Sequence, residues 1–218
     1  MKTNYLLHDS IYKKKYENGD FSWGGKDTFE NNVSHIDKLL KYSSSAKKIL
    51  EVGCGNGVLS FYLEKKGFNV VGIDISPEAI KWAKKIKYEN NYNSSFYIAN
   101  ILDDELFGDE KYDLIIDSYC YHCIIGDDRD KFISNIKKLL KQNGFFIIQT
   151  MCNEPAEDIL PYYDKKSRCM IKNGIAGRYF GKEDSIITEL TEFGFEPVHY
   201  YVEHIDQDTL YGLFRKKY

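Results

Sequence analysis

The sequence predicts an α/β fold in which a mainly parallel, doubly wound sheet carries helices on both faces. Short apolar runs typical of buried strands alternate with amphipathic segments of helical periodicity. A glycine-rich turn follows the first apolar run, and an acidic residue ends the second. One later run, Leu114-Ile115-Ile116, is apolar at three consecutive positions, as expected for a strand buried on both faces of a parallel sheet.

Five helices are predicted from apolar residues that recur on one helical face. They cover residues 28–42, 59–67, 77–86, 132–143 and 185–193. Pro77 suits the first turn of the third helix, and Asn143-Gly144 and Gly194 suit the ends of the last two.

Seven strands are predicted around these helices. They cover residues 47–50, 69–74, 96–99, 112–117, 145–150, 198–202 and 209–214. The last two can pair in an antiparallel arrangement, and residues 151–182 between the fifth strand and the last helix are predicted to be irregular.

Composition and charge limit the classes of function. The 218 residues contain 30 basic and 33 acidic side chains, so the formal charge of −3 gives no electrostatic case for binding nucleic acid or an anionic membrane. No apolar run approaches the ~20 residues that span a bilayer. Lys13-Lys14-Lys15 is not followed by the apolar stretch of a signal peptide. Five cysteines without secretory features are typical of reduced thiols, so a cytoplasmic location is expected.

The most informative segment is the glycine-rich turn at residues 51–58, Glu-Val-Gly-Cys-Gly-Asn-Gly-Val. Three glycines at alternate positions let the chain turn tightly and let a ligand approach the backbone. Asp74, at the end of the next strand, can accept hydrogen bonds from both hydroxyls of a ribose. The pattern therefore predicts half of a nucleotide-cofactor site. A dinucleotide fingerprint would place its third glycine where Val58 stands.

The G-x-G-x-G spacing with Glu51 before it resembles motif I of the class I S-adenosylmethionine-dependent methyltransferases, over roughly residues 47–150. The resemblance implies S-adenosyl-L-methionine as cofactor and S-adenosyl-L-homocysteine as product. It also implies a Rossmann-like, seven-stranded sheet that ends in the antiparallel pair. The alternatives are a nicotinamide-dependent oxidoreductase, a binding protein without turnover, and a glycine turn that only connects two elements.

The resemblance also divides the chain. Residues 1–218 are expected to form a single methyltransferase domain. Within it we expect an N-terminal cap or lid at 1–42, a cofactor-binding core at 47–150, a substrate-facing insert at 151–182, and a C-terminal helix and strand pair at 183–218. No metal site is expected, because Cys120 and Cys123 find no second cysteine pair in the sequence.

The cofactor-binding residues implied by the resemblance lie after the first four strands and in the lid. They are Glu51, Gly53, Cys54, Gly55, Gly57, Asp74, Ile75, Asn100, Ile101, Asp117 and Ser118, with Trp23 and Tyr16 from the lid. Glu51 would face the cofactor's ammonium group and Asp74 its ribose. Asn100 stands where the family usually has an acid for the adenine amino group, and Asp103 is the alternative. Asp117 would lie near the transferred methyl group, unless it only caps a turn.

The candidate catalytic residues are His122, Arg178 and Tyr179. A histidine can take the proton of an acceptor hydroxyl, or it can simply pack in the interior. An arginine can anchor a carboxylate through two parallel hydrogen bonds. We expect methyl transfer to an oxygen, including that of a carboxylate, on a small molecule or peptide, with transfer to nitrogen or sulfur as the alternative.

Nucleic acid and membrane are not expected as partners, and the oligomeric state is left open. The residues after the fourth predicted strand, Asp117-Ser118-Tyr119-Cys120, lack the Asp/Asn-Pro-Pro-aromatic sequence of the related enzymes that methylate amino groups of DNA bases. The Pro-Cys dipeptide of cytosine-carbon methyltransferases does not occur either.

Overall fold

The computed structural model describes residues 1–106 and 108–217. Ten strands lie in this part of the chain. They are β1 (Lys48–Val52), β2 (Asn69–Asp74), β3 (Ser95–Ile98), β4 (Tyr112–Ser118), β5 (Leu140–Met151), β6 (Tyr163–Asp164), β7 (Cys169–Lys172), β8 (Ile175–Tyr179), β9 (Phe195–Glu203) and β10 (Thr209–Lys216). The α-helices are α1 (Asp9–Glu17), α2 (Gly25–Leu40), α3 (Val58–Lys65), α4 (Pro77–Asn90), α5 (Asp128–Leu139) and α6 (Glu183–Glu192).

The central sheet has seven strands in the order β3-β2-β1-β4-β5-β10-β9. The first five run parallel, and β10 is antiparallel to both β5 and β9. This confirms the predicted mainly parallel sheet with an antiparallel terminal pair. The order reverses between β1 and β4, and open sheets of this type bind ligands in the crevice outside the carboxyl ends of the strands at such a point.

The two faces of the sheet pack into separate apolar clusters. Leu50 and Ile115 are register partners on β1 and β4, and both lie in the cluster that includes residues of α5 and α6. Their neighbours Ile49 and Leu114 belong to the cluster that includes residues of α2 and α3. All four side chains are fully buried. The apolar runs therefore supply both faces at once, as the prediction of helices on both sides requires.

The insert at residues 151–182 is ordered, so the prediction that it is irregular is wrong. Its chain forms a second, three-stranded antiparallel sheet in the order β6-β7-β8. The turn between β7 and β8 is Asn173-Gly174, and both residues have positive φ, at 53° and 74°. Asn-Gly with two positive φ angles is the preferred two-residue turn of a β-hairpin, because its twist matches that of the strands.

Several predicted boundaries shift, most clearly those of α5 and α2. Helix α5 ends at Leu139, before the expected stop at Asn143-Gly144, because Leu140 already pairs with Tyr112 as the first residue of β5. Asn143 then takes a φ of 59° inside the strand. Helix α2 begins at Gly25 and ends at Leu40, two or three residues earlier than predicted at each end.

The N-terminal segment crosses the carboxyl ends of the parallel strands and is fixed at two places. On α4, the Asp9 carboxylate accepts hydrogen bonds from the Ser76 hydroxyl at 2.6 Å and the Glu78 amide at 3.1 Å. On the insert, the Ala176 amide donates to the Lys2 carbonyl at 2.9 Å. The helices of the described chain include none that is both long enough and apolar enough to cross a membrane.

Candidate active site

A cavity of about 550 Å³ opens at the carboxyl ends of β1, β2 and β4. The N-terminal segment and the insert sheet contribute its outer walls. Its volume lies within the ~300–1,000 Å³ that is usual for small-molecule sites. The cavity is therefore the candidate site against which the sequence-predicted residues are compared.

The glycine turn forms one wall of this cavity through Gly53 and Gly55, whose φ angles are 74° and 54°. The amides of Gly53 and Cys54 both donate to the Ile73 carbonyl at 2.9 Å, which ties the turn to the end of β2. A Cβ atom at Gly55 would lie 2.8 Å from the Tyr12 hydroxyl. The positive φ angles and the close approach both require glycine here.

Asp74 lies beside the turn, at the end of β2, and is 8% exposed. Its Oδ2 accepts from the Gly55 amide at 2.9 Å and its Oδ1 from the Ser76 amide at 2.8 Å. Burial raises the pKa of Asp74 above the usual value for aspartate. A carboxylate oxygen can accept more than one hydrogen bond, so Asp74 has capacity for further hydroxyl donors.

Glu51, the last but one residue of β1, is a second buried carboxylate on the cavity wall. The hydroxyls of Ser60 and Ser118 donate to its two oxygens. Burial raises the pKa of Glu51 to about 7, although these hydrogen bonds oppose the shift. A cation placed beside Glu51 would favour the ionised carboxylate and would itself be held.

Most of the remaining predicted cofactor residues also line the cavity. These are Cys54, Ile75, Asn100, Ile101, Ser118 and Trp23. The Asn100 side-chain oxygen accepts from the Leu102 amide at 3.0 Å and keeps its second lone pair. Asp103, the alternative to Asn100, is exposed and does not line the cavity.

Four predicted site residues lie outside the cavity lining: Tyr16, Gly57, Asp117 and Tyr179. Asp117 is fully buried, and its Oδ1 accepts from the amides of Cys120 and Tyr121 at 3.1 and 3.0 Å. It therefore caps the turn that follows β4, which is the structural alternative considered for it. Gly57 lets α3 pack closely on the sheet, because a Cβ atom there would lie 2.7 Å from the Phe96 ring.

The two tyrosines face away from the cavity. The Tyr16 ring packs on Trp82 with centroids 5.8 Å apart, and its hydroxyl accepts from Lys85 at 2.6 Å. The Tyr179 ring lies under the Arg129 guanidinium at 3.9 Å. Neither side chain is placed to touch a ligand in the cavity.

His122 lines the cavity and is 4% exposed. Its Nδ1 is buried and has no hydrogen-bond partner within residues 1–106 and 108–217. Burial, followed by the charge of Arg178, lowers the pKa of His122 to about 3. The imidazole is therefore neutral at physiological pH, and it is a weaker base than an ordinary histidine.

Arg178 is a partly buried cation on the opposite wall. It lies on β8, where Arg178 and Tyr179 point to opposite faces of the strand, so that one reaches the cavity while the other packs on Arg129. Its charge lowers the pKa of both His8 and His122.

Several cavity residues were missed by the analysis of the sequence. They are Tyr5, His8, Phe29, Asn32, Gln149, Met151 and Met170. Gln149 and Met151 end β5, so the rule that ligands lie at the carboxyl ends of parallel strands would have found them. Phe29 lies on the apolar face of α2, which predicts packing in the core, and it also packs against the core there. His8 and Met170 carry no signal in the sequence, because segments far away in the chain bring them to the cavity.

The described residues contain no group of three or more His, Cys, Asp or Glu side chains arranged to hold a metal ion. Cys54, Cys120 and Cys123 line the cavity as free thiols.

A family model described as a methyltransferase domain matches residues 43–182. The chain is 28% identical over 144 residues to ribosomal protein L11 methyltransferase of Dictyoglomus thermophilum, which covers 66% of this chain and 45% of that protein. It is 33% identical over 160 residues to ubiquinone biosynthesis O-methyltransferase of Rickettsia akari, which covers 65% and 61%. The chain thus spans about half the length of the first of these relatives.

A solved structure shares the fold. The chain superposes on 1,6-didemethyltoxoflavin-N1-methyltransferase of Burkholderia thailandensis with a TM-score of 0.71 at 20% identity, covering 96% of this chain and 87% of that one. That structure contains 1,6-didemethyltoxoflavin and S-adenosylhomocysteine. Because the methyltransferase model covers well over half of the sequence, the chain belongs to the class I S-adenosylmethionine-dependent methyltransferases.

Proposed function

We propose that the protein binds S-adenosylmethionine in the cavity and transfers its methyl group to an oxygen of a small molecule or peptide. One observation carries the proposal: the Glu51 and Asp74 carboxylates flank a bare glycine turn on the wall of a single cavity. Bound there, the cofactor supplies a methyl carbon that its sulfonium already activates for displacement.

The residues present fit this cofactor. The free lone pairs of Asp74 suit the two ribose hydroxyls, and Glu51 suits the ammonium group of the methionine portion. Gly53 and Gly55 present backbone without side chains to that portion on the cavity wall. Asn100, Ile75 and Ile101 supply a polar acceptor and an apolar surface for the adenine.

The protein's own part in the reaction is alignment and exclusion of water. Trp23 and Tyr12 from the N-terminal segment line the cavity and pack on each other at 4.9 Å between ring centroids. The insert closes the other side through Met170, Ala176 and Arg178. These walls leave an acceptor a confined approach to the cofactor.

The positive charge of Arg178 favours an oxygen over a nitrogen as the methyl acceptor. Arg178 repels a protonated amine, and an amine acceptor would also need a base to remove its proton. His122 is a weak base, because its pKa is lowered to about 3. An oxygen acceptor that is already ionised needs no base, and the cationic side chain of Arg178 can hold it.

Calorimetric titration with S-adenosylhomocysteine tests cofactor binding. Asp74→Asn should weaken the affinity by about 1–3 kcal/mol, which corresponds to roughly 5- to 150-fold, because it weakens charge-assisted hydrogen bonds to the ribose. Asp103→Asn makes the same chemical change outside the cavity and should leave the affinity unchanged. A wild-type protein that binds NADH but not S-adenosylhomocysteine would overturn the proposal in favour of an oxidoreductase.

A further inference from the structure

We infer that the methyl acceptor is a carboxylic acid with an apolar body, and that Arg178 holds its carboxylate beside the cofactor. The inference rests on the proposed function, because it assigns the acceptor within the same cavity.

The first support is the distribution of charge. Among the residues that the structure describes, three formally charged side chains line the cavity: Glu51, Asp74 and Arg178. The two acids lie at the ends of β1 and β2, where they suit the cofactor's ammonium and ribose. Arg178 comes from the insert, so the cationic charge lies on a separate wall. Acids for the cofactor and a cation for its co-substrate are a complementary pair.

The second support is that Arg178 has no partner of its own. Its guanidinium makes no ion pair, hydrogen bond or ring contact within the described ranges 1–106 and 108–217. Arg129, the nearby buried arginine, is by contrast paired with Glu189 and stacked between the rings of Tyr121 and Tyr179. A planar guanidinium that is free on a cavity wall matches a carboxylate through two parallel N–H donors.

The third support is how firmly Arg178 is presented. On β8 its neighbour Tyr179 lies at 3.9 Å from the Arg129 guanidinium, on the face turned away from the cavity. Met170 is the register partner of Arg178 on β7 and also lines the cavity. The stack therefore fixes the strand, and the strand directs Arg178 inward.

The fourth support is the neutral imidazole of His122. Its buried Nδ1 lacks a partner within the described part of the chain. Nδ1 is closed off from the cavity, so the ring can meet the carboxylate only through Nε2, which donates a hydrogen bond in the tautomer that carries its proton there. Because burial keeps the ring uncharged, it supplies a donor but little basicity. That suits a nucleophile that is ionised before it enters the site.

Apolar side chains also line the cavity, beside polar ones such as Asn32 and Gln149. Leu7, Phe29, Met151 and Met170 line the cavity. Methionine side chains adapt to flat or irregular apolar groups, and aromatic rings pack on both. The body attached to the carboxylate is therefore aliphatic or aromatic.

The transfer balances without a base. A carboxylate oxygen forms the new O–CH₃ bond with one of its lone pairs as the S–CH₃ bond breaks. The electron pair of that bond stays on sulfur, which becomes a neutral thioether. No proton moves, and the product is a methyl ester.

The test uses the full-length protein saturated with S-adenosylhomocysteine. Benzoate, trans-cinnamate and indole-3-acetate are each titrated against their own primary amides, which keep the shape and lose the charge. At least one acid should bind about 10- to 100-fold more tightly than its amide, as expected for a charge-assisted pair. Arg178→Gln should abolish this preference. Lys172→Gln should keep it, because it removes a cation from the same insert outside the cavity.

The outcomes separate the two proposals. Arg178→Gln should bind S-adenosylhomocysteine as the wild type does, which also shows that the variant is folded. If the wild type binds S-adenosylhomocysteine but prefers none of the acids over its amide, the carboxylate inference falls and the cofactor proposal stands. If S-adenosylhomocysteine does not bind, the proposed function itself falls. With S-adenosylmethionine and a preferred acid, mild alkali should release the transferred methyl group as methanol, and an alkali-stable product would overturn the inference.

Discussion

Glu51 shows how the fold changes a residue that the sequence presents as an ordinary carboxylate. Its place before the glycine turn predicts contact with a cofactor, but not its protonation. In the structure both oxygens accept from serine hydroxyls, and burial still raises the pKa from 4.5 to about 7. The free protein therefore holds a proton on Glu51 through much of the range in which an unfolded chain would release it.

This pKa predicts a pH-dependent affinity for S-adenosylhomocysteine. The ligand's ammonium favours ionised Glu51, so below pH 7 binding must first displace a proton. The affinity should fall by up to about 10-fold per pH unit as the pH is lowered from 7 to 5.5. Calorimetry at several pH values measures the slope, and Glu51→Gln should reduce it to the part that comes from Asp74. Equal slopes in the two proteins would contradict the role of Glu51.

The raised pKa of Glu51 also determines how the stability of the folded protein changes with pH. Because the folded pKa lies above the unfolded value, the native state binds more protons between about pH 4.5 and 7. Stability from this group is thus fully present below pH 4.5 and is lost as the pH rises through 7. The cofactor's ammonium, where it binds, reduces that loss.

At the scale of elements, the insert depends on a joint between four of them. Arg129 on α5 pairs with Glu189 on α6, and its guanidinium lies between the rings of Tyr121 and Tyr179. Tyr121 belongs to the turn after β4, and Tyr179 ends β8. Tyr179 is a predicted catalytic residue, and the structure places its ring on Arg129, outside the cavity lining.

Replacement of Tyr179 tests this joint. Tyr179→Leu removes the cation–π contact and should destabilise the insert by ~1–2 kcal/mol, whereas Tyr179→Phe keeps the ring and should stay near wild type. Hydrogen exchange of residues 163–179 measures the effect. The Leu variant should exchange faster there and should bind S-adenosylhomocysteine normally. Equal exchange in the Leu and Phe variants would show that the stack does not hold the strand.

At the scale of the whole molecule, two segments close the cavity. The N-terminal segment precedes the parallel strands in the chain, and the insert follows them. Asp9 fixes the N-terminal segment to the first turn of α4, and Lys2 fixes it to β8. Tyr12 and Trp23 then reach into the cavity from that segment. We propose that residues 1–42 act as a lid that must loosen before the cofactor is exchanged.

Asp9→Ala should therefore speed the release of S-adenosylhomocysteine. The loss of two hydrogen bonds from one carboxylate corresponds to a roughly 5- to 20-fold faster dissociation. Stopped-flow displacement measures the rate. Asp20→Ala is the matched control, because Asp20 makes an exposed ion pair with Lys15 at 3.5 Å and does not contact α4. Equal release rates for the two variants would show that Asp9 does not hold the lid on α4.

Features that depend on residues close together in the chain can be predicted from the sequence, and features that depend on remote segments cannot. Two such local features are the glycine turn that connects β1 to α3 and Asp74 at the end of β2. Their residues are close together in the chain, so the sequence pattern predicts them. The hairpin at Asn173-Gly174 has a local signal too, because Asn-Gly favours a two-residue turn. Tyr16 and Asp117 differ, because their positions outside the cavity lining depend on packing between remote segments.

By itself, the sequence determined the doubly wound sheet and the cofactor wall, since periodicity and backbone geometry are short-range, and its resemblance to a known family implied the antiparallel edge. Tertiary structure decided which side chains share the cavity. It turned Arg178 inward and Tyr179 outward, and it buried His122 until its imidazole became neutral. Side-chain direction on an insert and the charge state of a buried group both depend on contacts that no local pattern records.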